Sequence, residues 1–437
     1  MMMELQRTLG WKEATSLGVG AMVGAGIFVL SGVATGKAGP AVMISFILAS
    51  LLAMLLGLCY AELASRYPRA GGSYEYVRET MGTFTGTIIG WAYWGAWLAA
   101  SSFVSQGFGH YLYALTGAPP RLSAVLLLLG LGFLNIIGIK FSGKLQVGIV
   151  CTVVVVLLGF FIFGVKHVNY SYYLPFSPNG FSGILEASLV GFLSIVGWDA
   201  IVASGEEIRN PKKTIPIAIM LSIITVLFLY LGLLFVSIGV LPWQEFGASE
   251  VPVALASQQF LGTFGPTFTS LVIVIALPAT CNAFIITISR TAFAMGRNGL
   301  LPKTIAFVHP RFQTPSWAIT LGVAIQVSFT LFSSINIAVT ATGFLYLLTF
   351  IFTMIAFFIS RKRSVPKDKE KQFSVPFYPV TPVLALIICV SLLVPIGKSG
   401  FLAGLIWLSI GFGIYVLRIR AMATSKMVKL ENQATNH

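Results

Sequence analysis

Two stretches of this chain place poor helix formers inside sequence apolar enough to be helical. The first is Gly20-Ala21-Met22-Val23-Gly24-Ala25-Gly26-Ile27-Phe28, within the apolar run 15–35. The second is Gly191-Phe192-Leu193-Ser194-Ile195-Val196-Gly197-Trp198-Asp199, within the run 184–204. Each glycine weakens a helix by ~1 kcal/mol relative to alanine. In a bilayer an unwound backbone survives only where it lines a cavity or touches a ligand. The chemistry expected of such breaks is recognition, not bond-making. A helix restarting near Ala25 and Gly26 presents free N–H groups and a positive dipole end, which together suit a carboxylate. The dipole contributes up to ~2 kcal/mol when partly buried, and hydrogen bonds to a charged group add ~1.5–3 kcal/mol each. A helix ending near Val196 exposes carbonyl oxygens, which suit an ammonium. A small zwitterion, such as an amino acid, fits across two facing breaks. Close helix packing at the glycines is the competing explanation.

Asp199 is the ionisable residue nearest this chemistry. An aspartate at mid-helix costs ~2.5–3.5 kcal/mol on insertion scales, so its retention needs a reason. Beside a substrate cavity its carboxyl group could exchange protons or take part in gating. The alternative is a structural acceptor for N–H groups freed by the break. Glu186, near the outer end of the same run, reads as an interfacial residue. The histidines are His110, His167, His309 and His437, all at run ends, in loops or in the tail. They form no metal-ligand or nucleophile–base spacing, and no phosphate-binding Walker motif is present. The sequence therefore argues against an enzyme and an ATP-driven pump, and calls for no metal and no cofactor.

The elements that must position these residues follow from composition. The chain has 437 residues, of which 56% are hydrophobic and 10% charged. A soluble domain carries about 25% charged residues, so this is an all-α integral membrane protein. Twelve apolar runs are long enough to cross a bilayer: 15–35, 40–61, 83–113, 122–139, 143–165, 184–204, 214–240, 264–290, 315–333, 336–360, 379–397 and 400–418. With both termini in the cytoplasm, 24 of the 28 Lys and Arg residues fall inside, as the positive-inside rule requires. The net charge of +14 is thereby explained without nucleic acid. The run Arg361–Lys371 reads as a solvated connector touching lipid headgroups. The four cysteines fall inside apolar stretches and read as reduced core residues. The polar segment Met1–Thr15 reads as a cytoplasmic amino terminus without a cleavable signal.

The two breaks begin five runs apart. Glycine-interrupted spans at corresponding positions of two halves point to an inverted repeat with its binding site at mid-membrane. The division expected is a terminus 1–14, a first repeat 15–165 and a second, inverted repeat 184–360. A basic loop 361–378, two added helices 379–418 and a cytoplasmic tail 419–437 complete it.

Four motifs together resemble the amino acid–polyamine–organocation superfamily of permeases. They are Gly20–Phe28; Tyr60-Ala61-Glu62-Leu63 with Pro68, Gly71, Gly72 and Tyr74; Gly197-Trp198-Asp199; and Glu206-Glu207-Ile208-Arg209-Asn210-Pro211-Lys212-Lys213. The resemblance runs on through Asn298-Gly299-Leu300-Leu301-Pro302. It implies a leucine-transporter-type five-plus-five inverted repeat, 12 transmembrane helices and alternating access. It maps carboxylate contacts onto Met22, Val23, Gly24, Ala25, Gly26 and Ile27, and amine and side-chain contacts onto Leu193, Ser194, Val196 and Gly197. Counting from neighbouring motifs adds Ser101 and Phe284 to the pocket.

The chain departs from relatives in its coupling residues. The lysine that some members carry in span 5 falls here at Val153, and Ala276–Ala279 offers no side-chain oxygen for sodium. Proton symport or substrate exchange remains. Thr280 and Asn282 read as helix–helix hydrogen-bonding residues. Glu62, Arg66, Arg69, Glu75 and Arg78 form either inner-gate ion pairs or a solvated basic loop. The Trp91, Trp94, Trp97 stripe reads as packing. The mapped pocket is small and apolar, which favours neutral amino acids over cationic ones and polyamines. A nutrient sensor or channel on the same fold is the reading from another class. The location expected is a cell membrane; no oligomeric state follows.

Overall fold

The computed structural model describes residues 9–67, 71–138, 143–363 and 373–434. Arg69 and all but the first three residues of Arg361–Lys371 lie outside them. The described residues are helical, and their one extended pairing is an isolated parallel bridge between Leu9 and Ile208.

Helices α1 (Trp11–Met22), α2 (Ala25–Phe28) and α3 (Leu30–Ala38) divide the first apolar run, and α4 (Val42–Arg66) fills the second. After the short α5 (Ser73–Met81) come α6 (Thr83–Thr116), α7 (Pro120–Ile136) and α8 (Gly143–Gly164). Helices α9 (Gly180–Ile195) and α10 (Asp199–Ala203) share the sixth run, and α11 (Pro211–Val240) follows. Two short helices, α12 (Trp243–Ala248) and α13 (Pro252–Leu261), lead into α14 (Phe264–Arg297). Helices α15 (Ser316–Phe332), α16 (Ile335–Lys362), α17 (Val380–Ser391) and α18 (Gly397–Ala434) complete the chain. Seven helical stretches among the described residues are long and apolar enough to cross a membrane, and eight if α6 and α7, bent by 120°, count as one.

Local chemistry sets the boundaries. Gly117 ends α6 in the left-handed region (φ 73°) and donates its N–H to Tyr113 O at 2.8 Å, the conformation glycine adopts without a Cβ penalty. Pro119 and Pro120 then restart the chain as α7. Pro211 opens α11, with Asn210 left-handed just before it (φ 48°).

Helix α4 lies between α11 and α9, α6 between α14 and α16, and α7 on α15, while α1 packs mainly on α11 and also touches α8, α14 and α10. The core is unusually aromatic: Trp94, Trp97, Trp198, Tyr60, Tyr93 and Tyr230 are among its largest fully buried side chains.

At one end of α4, Glu62 is fully buried and pairs with Arg66 at 2.7 Å and with Arg361 of α16. Its second oxygen also accepts the Val375 N–H at 2.8 Å. Arg361 stacks on Tyr378, 4.1 Å from the ring centroid. Of the two readings of the charge cluster, ion pairing is observed for Glu62 with Arg66 and, at 3.6 Å, for Glu75 with Arg78; Arg361, outside that cluster, joins Glu62 and ties α4 to α16 and to the chain entering α17. Removing the acid from a buried ion pair strands its partners, at roughly 3–5 kcal/mol in fully buried cases and less here because both arginines keep some exposure. Glu62→Ala is therefore expected to lower the thermal unfolding midpoint of the detergent-purified protein by several degrees, whereas Arg121→Ala, exposed in the first turn of α7, leaves it close to wild type.

Candidate functional site

The first apolar run breaks where its glycines stand. Helix α1 stops at Met22; Val23 departs from helical geometry (φ −78°, ψ 82°), and the Gly24 N–H turns back to Met22 O at 2.9 Å. Helix resumes at Ala25, so the first N–H groups of α2 lack intrahelical acceptors. The sixth run behaves differently. After Ile195 the chain tightens into one 3-10 turn, Val196–Trp198, before α10. The Asp199 N–H approaches Val196 O and Gly197 O. The expected row of free carbonyls near Val196 is thus shortened, because tightening the last turn satisfies groups that have no water to turn to.

The glycines let the two interruptions cross. A Cβ on Gly26 would sit 2.8 Å from Ser194 O, and one on Gly197 would sit 2.6 Å from the Ala21 carbonyl carbon. A Cβ on Gly24 would collide with Thr280. Hydrogen bonds then fix the crossing. The Ser194 hydroxyl donates to Gly26 O at 2.9 Å. The Tyr230 hydroxyl, from α11, donates to Met22 O at 2.6 Å and lies 3.2 Å from Ser194 O. Thr280, from α14, donates to Gly20 O at 2.9 Å.

Between the interruptions lies a narrow cavity. Of the residues expected at the site, Met22, Gly26, Leu193, Ser194, Val196, Gly197 and Phe284 line it. Val23 and Ile27 are buried beside the break but off the lining, and Gly24 faces Thr280. Ala25 contributes backbone as the first residue of α2; its side chain lies outside what is described. Ser101 is turned toward α15, where its hydroxyl accepts the Gln326 amide at 3.0 Å. Sequence reasoning missed Ala21, Trp97, Ala100, Phe103, Val104, Thr280 and Tyr346 as lining. Trp97 belonged to the stripe read as packing. Thr280 does make the helix–helix bond expected of it, and lines the cavity as well; Asn282 accepts from Asn135 at 2.7 Å as the same reading requires. Nothing in the sequence singled out Tyr346. The space open to the centre of a water molecule is about 10 Å³, on the order of one water, so a larger solute can enter only if the walls move.

Asp199 sits fully buried just past the 3-10 turn, and neither carboxylate oxygen meets hydrogen-bond geometry with any described group. The Tyr93 hydroxyl and the Trp97 and Trp198 indole N–H groups are likewise buried and unpartnered. Orphaned buried donors and acceptors are rare. Here four residues carry them, and Trp97 is also cavity wall. Farther out, Glu186 pairs with Lys37 at 2.8 Å, both half-exposed. At the opposite ends of these helices Arg290 ion-pairs with Glu207, and the Leu9 N–H donates to Glu207 O at 2.9 Å.

These features define a multi-pass helical membrane protein with a small, mostly apolar cavity at two interrupted helices. A family model described as amino acid permease matches residues 9–417. The chain belongs to that family. It is 31% identical over 444 residues to the branched-chain amino acid permease BcaP of Bacillus subtilis (strain 168), covering 95% of this chain and 94% of that protein. It is 31% identical over 445 residues to the methylthioribose transporter of the same organism, with 95% and 94% covered. The serine/threonine exchanger SteT, also of B. subtilis, is 28% identical over 398 residues, with 87% and 89% covered.

Glycine substitutions separate close approach from mere helix weakening. Gly197→Ala and Gly26→Ala each drive a methyl into backbone and are expected to cost about 1–3 kcal/mol. Gly191→Ala meets only Phe46 and Ala49 at 3.3–3.4 Å and is expected to be tolerated. Thermal unfolding of the three purified variants tests the ranking; equal midpoints refute it. Tyr230→Phe removes one of the two donors to Met22 O, the Gly24 N–H remaining, and is expected to lower the midpoint by the equivalent of about 0.5–1.5 kcal/mol.

Proposed function

We propose that this protein is a secondary active transporter of neutral amino acids, working by alternating access through proton symport or exchange. The observation that carries the reading is the cavity where the two interruptions cross. Its walls include Trp97, Ala100, Phe103, Val104, Leu193 and Phe284. Such a wall suits an apolar side chain, and a basic side chain entering it would need an acid that the lining lacks. Two of the similar proteins are named for branched-chain amino acids and for serine and threonine. The substrate carboxylate is assigned to the N–H groups restarting at Ala25 and Gly26, with Met22, Val23, Gly24 and Ile27 shaping that turn. Its ammonium is assigned to carbonyls of Leu193, Ser194, Val196 and Gly197. Phe284 closes the side-chain end, and Ser101 supports the wall from behind.

We assign the chain twelve crossings in a five-plus-five inverted repeat, 15–165 and 184–360, with 379–418 appended and both termini cytoplasmic in a cell membrane. Its support is that the interrupted helices stand at corresponding positions, the first and sixth runs, and that their breaks meet, with α1 packed on the Val196–Trp198 turn and on α10. Asp199 is assigned to gating or proton coupling. Its support is a fully buried carboxyl that makes no hydrogen bond of good geometry, close to the Tyr93 hydroxyl and two residues from Gly197 of the cavity lining. Asp199 also supports the second reading, a cationic amino acid or polyamine exchanger, because it is the acid nearest the cavity.

Proteoliposomes containing the purified protein are expected to take up labelled isoleucine or leucine, with unlabelled arginine competing at least about tenfold more weakly, or ~1.4 kcal/mol. Stronger competition by arginine would favour the cationic reading. Binding without uptake would mark a sensor, and conductance far above carrier turnover a channel. Asp199→Asn is expected to slow uptake and flatten its dependence on external pH. A wild-type rate and pH profile in that variant would remove Asp199 from the cycle.

A further inference from the structure

The last helix lies outside the two halves proposed above, yet it is locked into the wall of the cavity. Trp91 of α6 and Trp407 of α18 stack with ring centroids 4.9 Å apart and planes 15° from parallel. Each indole N–H donates to the other's backbone carbonyl, Trp91 to Trp407 O at 2.8 Å and Trp407 to Trp91 O at 2.9 Å. The fit needs two glycines. A Cβ on Gly95 would collide with the Trp407 indole, and one on Gly411 with that of Trp91.

The lock continues inward. Trp94 packs against both rings, 5.2 Å from Trp91 and 6.1 Å from Trp407. Its own N–H donates to Ile288 O of α14 at 3.1 Å. That bond fixes the register of α6 against α14, four residues from Phe284 in the cavity wall. Trp97 meets Phe284 edge-on at 4.7 Å. A step of three residues falls about 60° short of a full helical turn. The stripe therefore winds round α6, pointing Trp91 at α18, Trp94 at α14 and Trp97 at the cavity.

We infer that Trp407 is a positioning residue for the substrate cavity: it holds α6 against α14 through Trp91 and Trp94, and so sets where Trp97 and Phe284 stand. This rests on the transport reading. Trp407 is not part of the cavity lining, so its loss acts only through the wall it holds; a displaced wall weakens binding and raises KM with kcat little altered.

Wild type, Trp407→Phe and Trp407→Ala are reconstituted at matched protein content, and initial isoleucine uptake is measured against concentration. Trp407→Phe keeps a stacking ring and loses one neutral hydrogen bond, for an expected rise in KM of about threefold, and Trp407→Ala about tenfold or more. Trp317→Ala, removing an exposed indole of α15, is expected to leave both constants unchanged. An unchanged KM in both Trp407 variants, or a loss confined to kcat, overturns the inference. Amide hydrogen exchange over residues 97–104 gives a readout independent of transport and suffices if Trp407→Ala does not fold. Faster exchange there in Trp407→Phe supports positioning, and unchanged exchange overturns it. Should wild type take up no amino acid, the transport reading fails, and exchange alone decides the role of Trp407.

Discussion

The structure depends on one constraint: a peptide group inside a membrane must find its hydrogen-bond partner within the protein. Two apolar runs of this chain break that ladder, and the protein is arranged to repair the damage. Met22 O, released where α1 ends, takes the Gly24 N–H and the Tyr230 hydroxyl. Gly26 O takes the Ser194 hydroxyl, and Gly20 O takes Thr280. The three side-chain repairs come from other helices, so mending the breaks also assembles the bundle. The amide groups at the start of α2 have no helical acceptor and stand at the cavity.

The same glycines answer two demands often set against each other. They were legible both as breaks and as small residues for packing, and the geometry shows a break at Gly24 and close crossings at Gly26 and Gly197. Gly26 lines the cavity and lets the Ser194 backbone approach. Gly197 lines it too and lets Ala21 approach. Where crossing helices must come within contact distance of a solute, omitting Cβ atoms provides room for both. The small residual space has the same origin: walls drawn together by direct bonds between the breaks leave little void until they separate.

Charge and aromatic chemistry are divided between the ends and the middle. Glu62, buried with Arg66 and Arg361, ties α4, α16 and the approach to α17. Arg290 and Glu207, with the Leu9 bridge, tie the chain after α10 to α14 and to the start of α1. The middle holds Asp199 among Tyr60, Tyr93, Tyr346 and Trp198. That division follows from the cost of charge: paired ions with some exposure are sustainable near the ends, whereas a carboxyl at mid-depth must justify itself by function.

Hydropathy, glycine spacing and basic-residue asymmetry by themselves determined that this is a helical membrane protein, where its apolar runs lie, and that runs one and six are interrupted. Those properties are written in local composition, which dictates partition into lipid and the propensity to be helical. They also pointed to the helix ends near Gly26 and Val196, whereas Met22, Leu193, Ser194, Gly197 and Phe284, which line the same cavity, were picked out by the family resemblance. Only the tertiary structure decided which of several equivalent faces each helix turns inward. Ser101 points to Gln326 while Ala100 beside it lines the cavity. Trp91 and Trp97, in one stripe, face α18 and the solute space. Residue order fixes the angle between neighbours on a helix but not the helix's rotation about its own axis. That rotation is set by contacts between segments hundreds of residues apart, such as Trp91 with Trp407, and by crossings as close as Gly197 on Ala21.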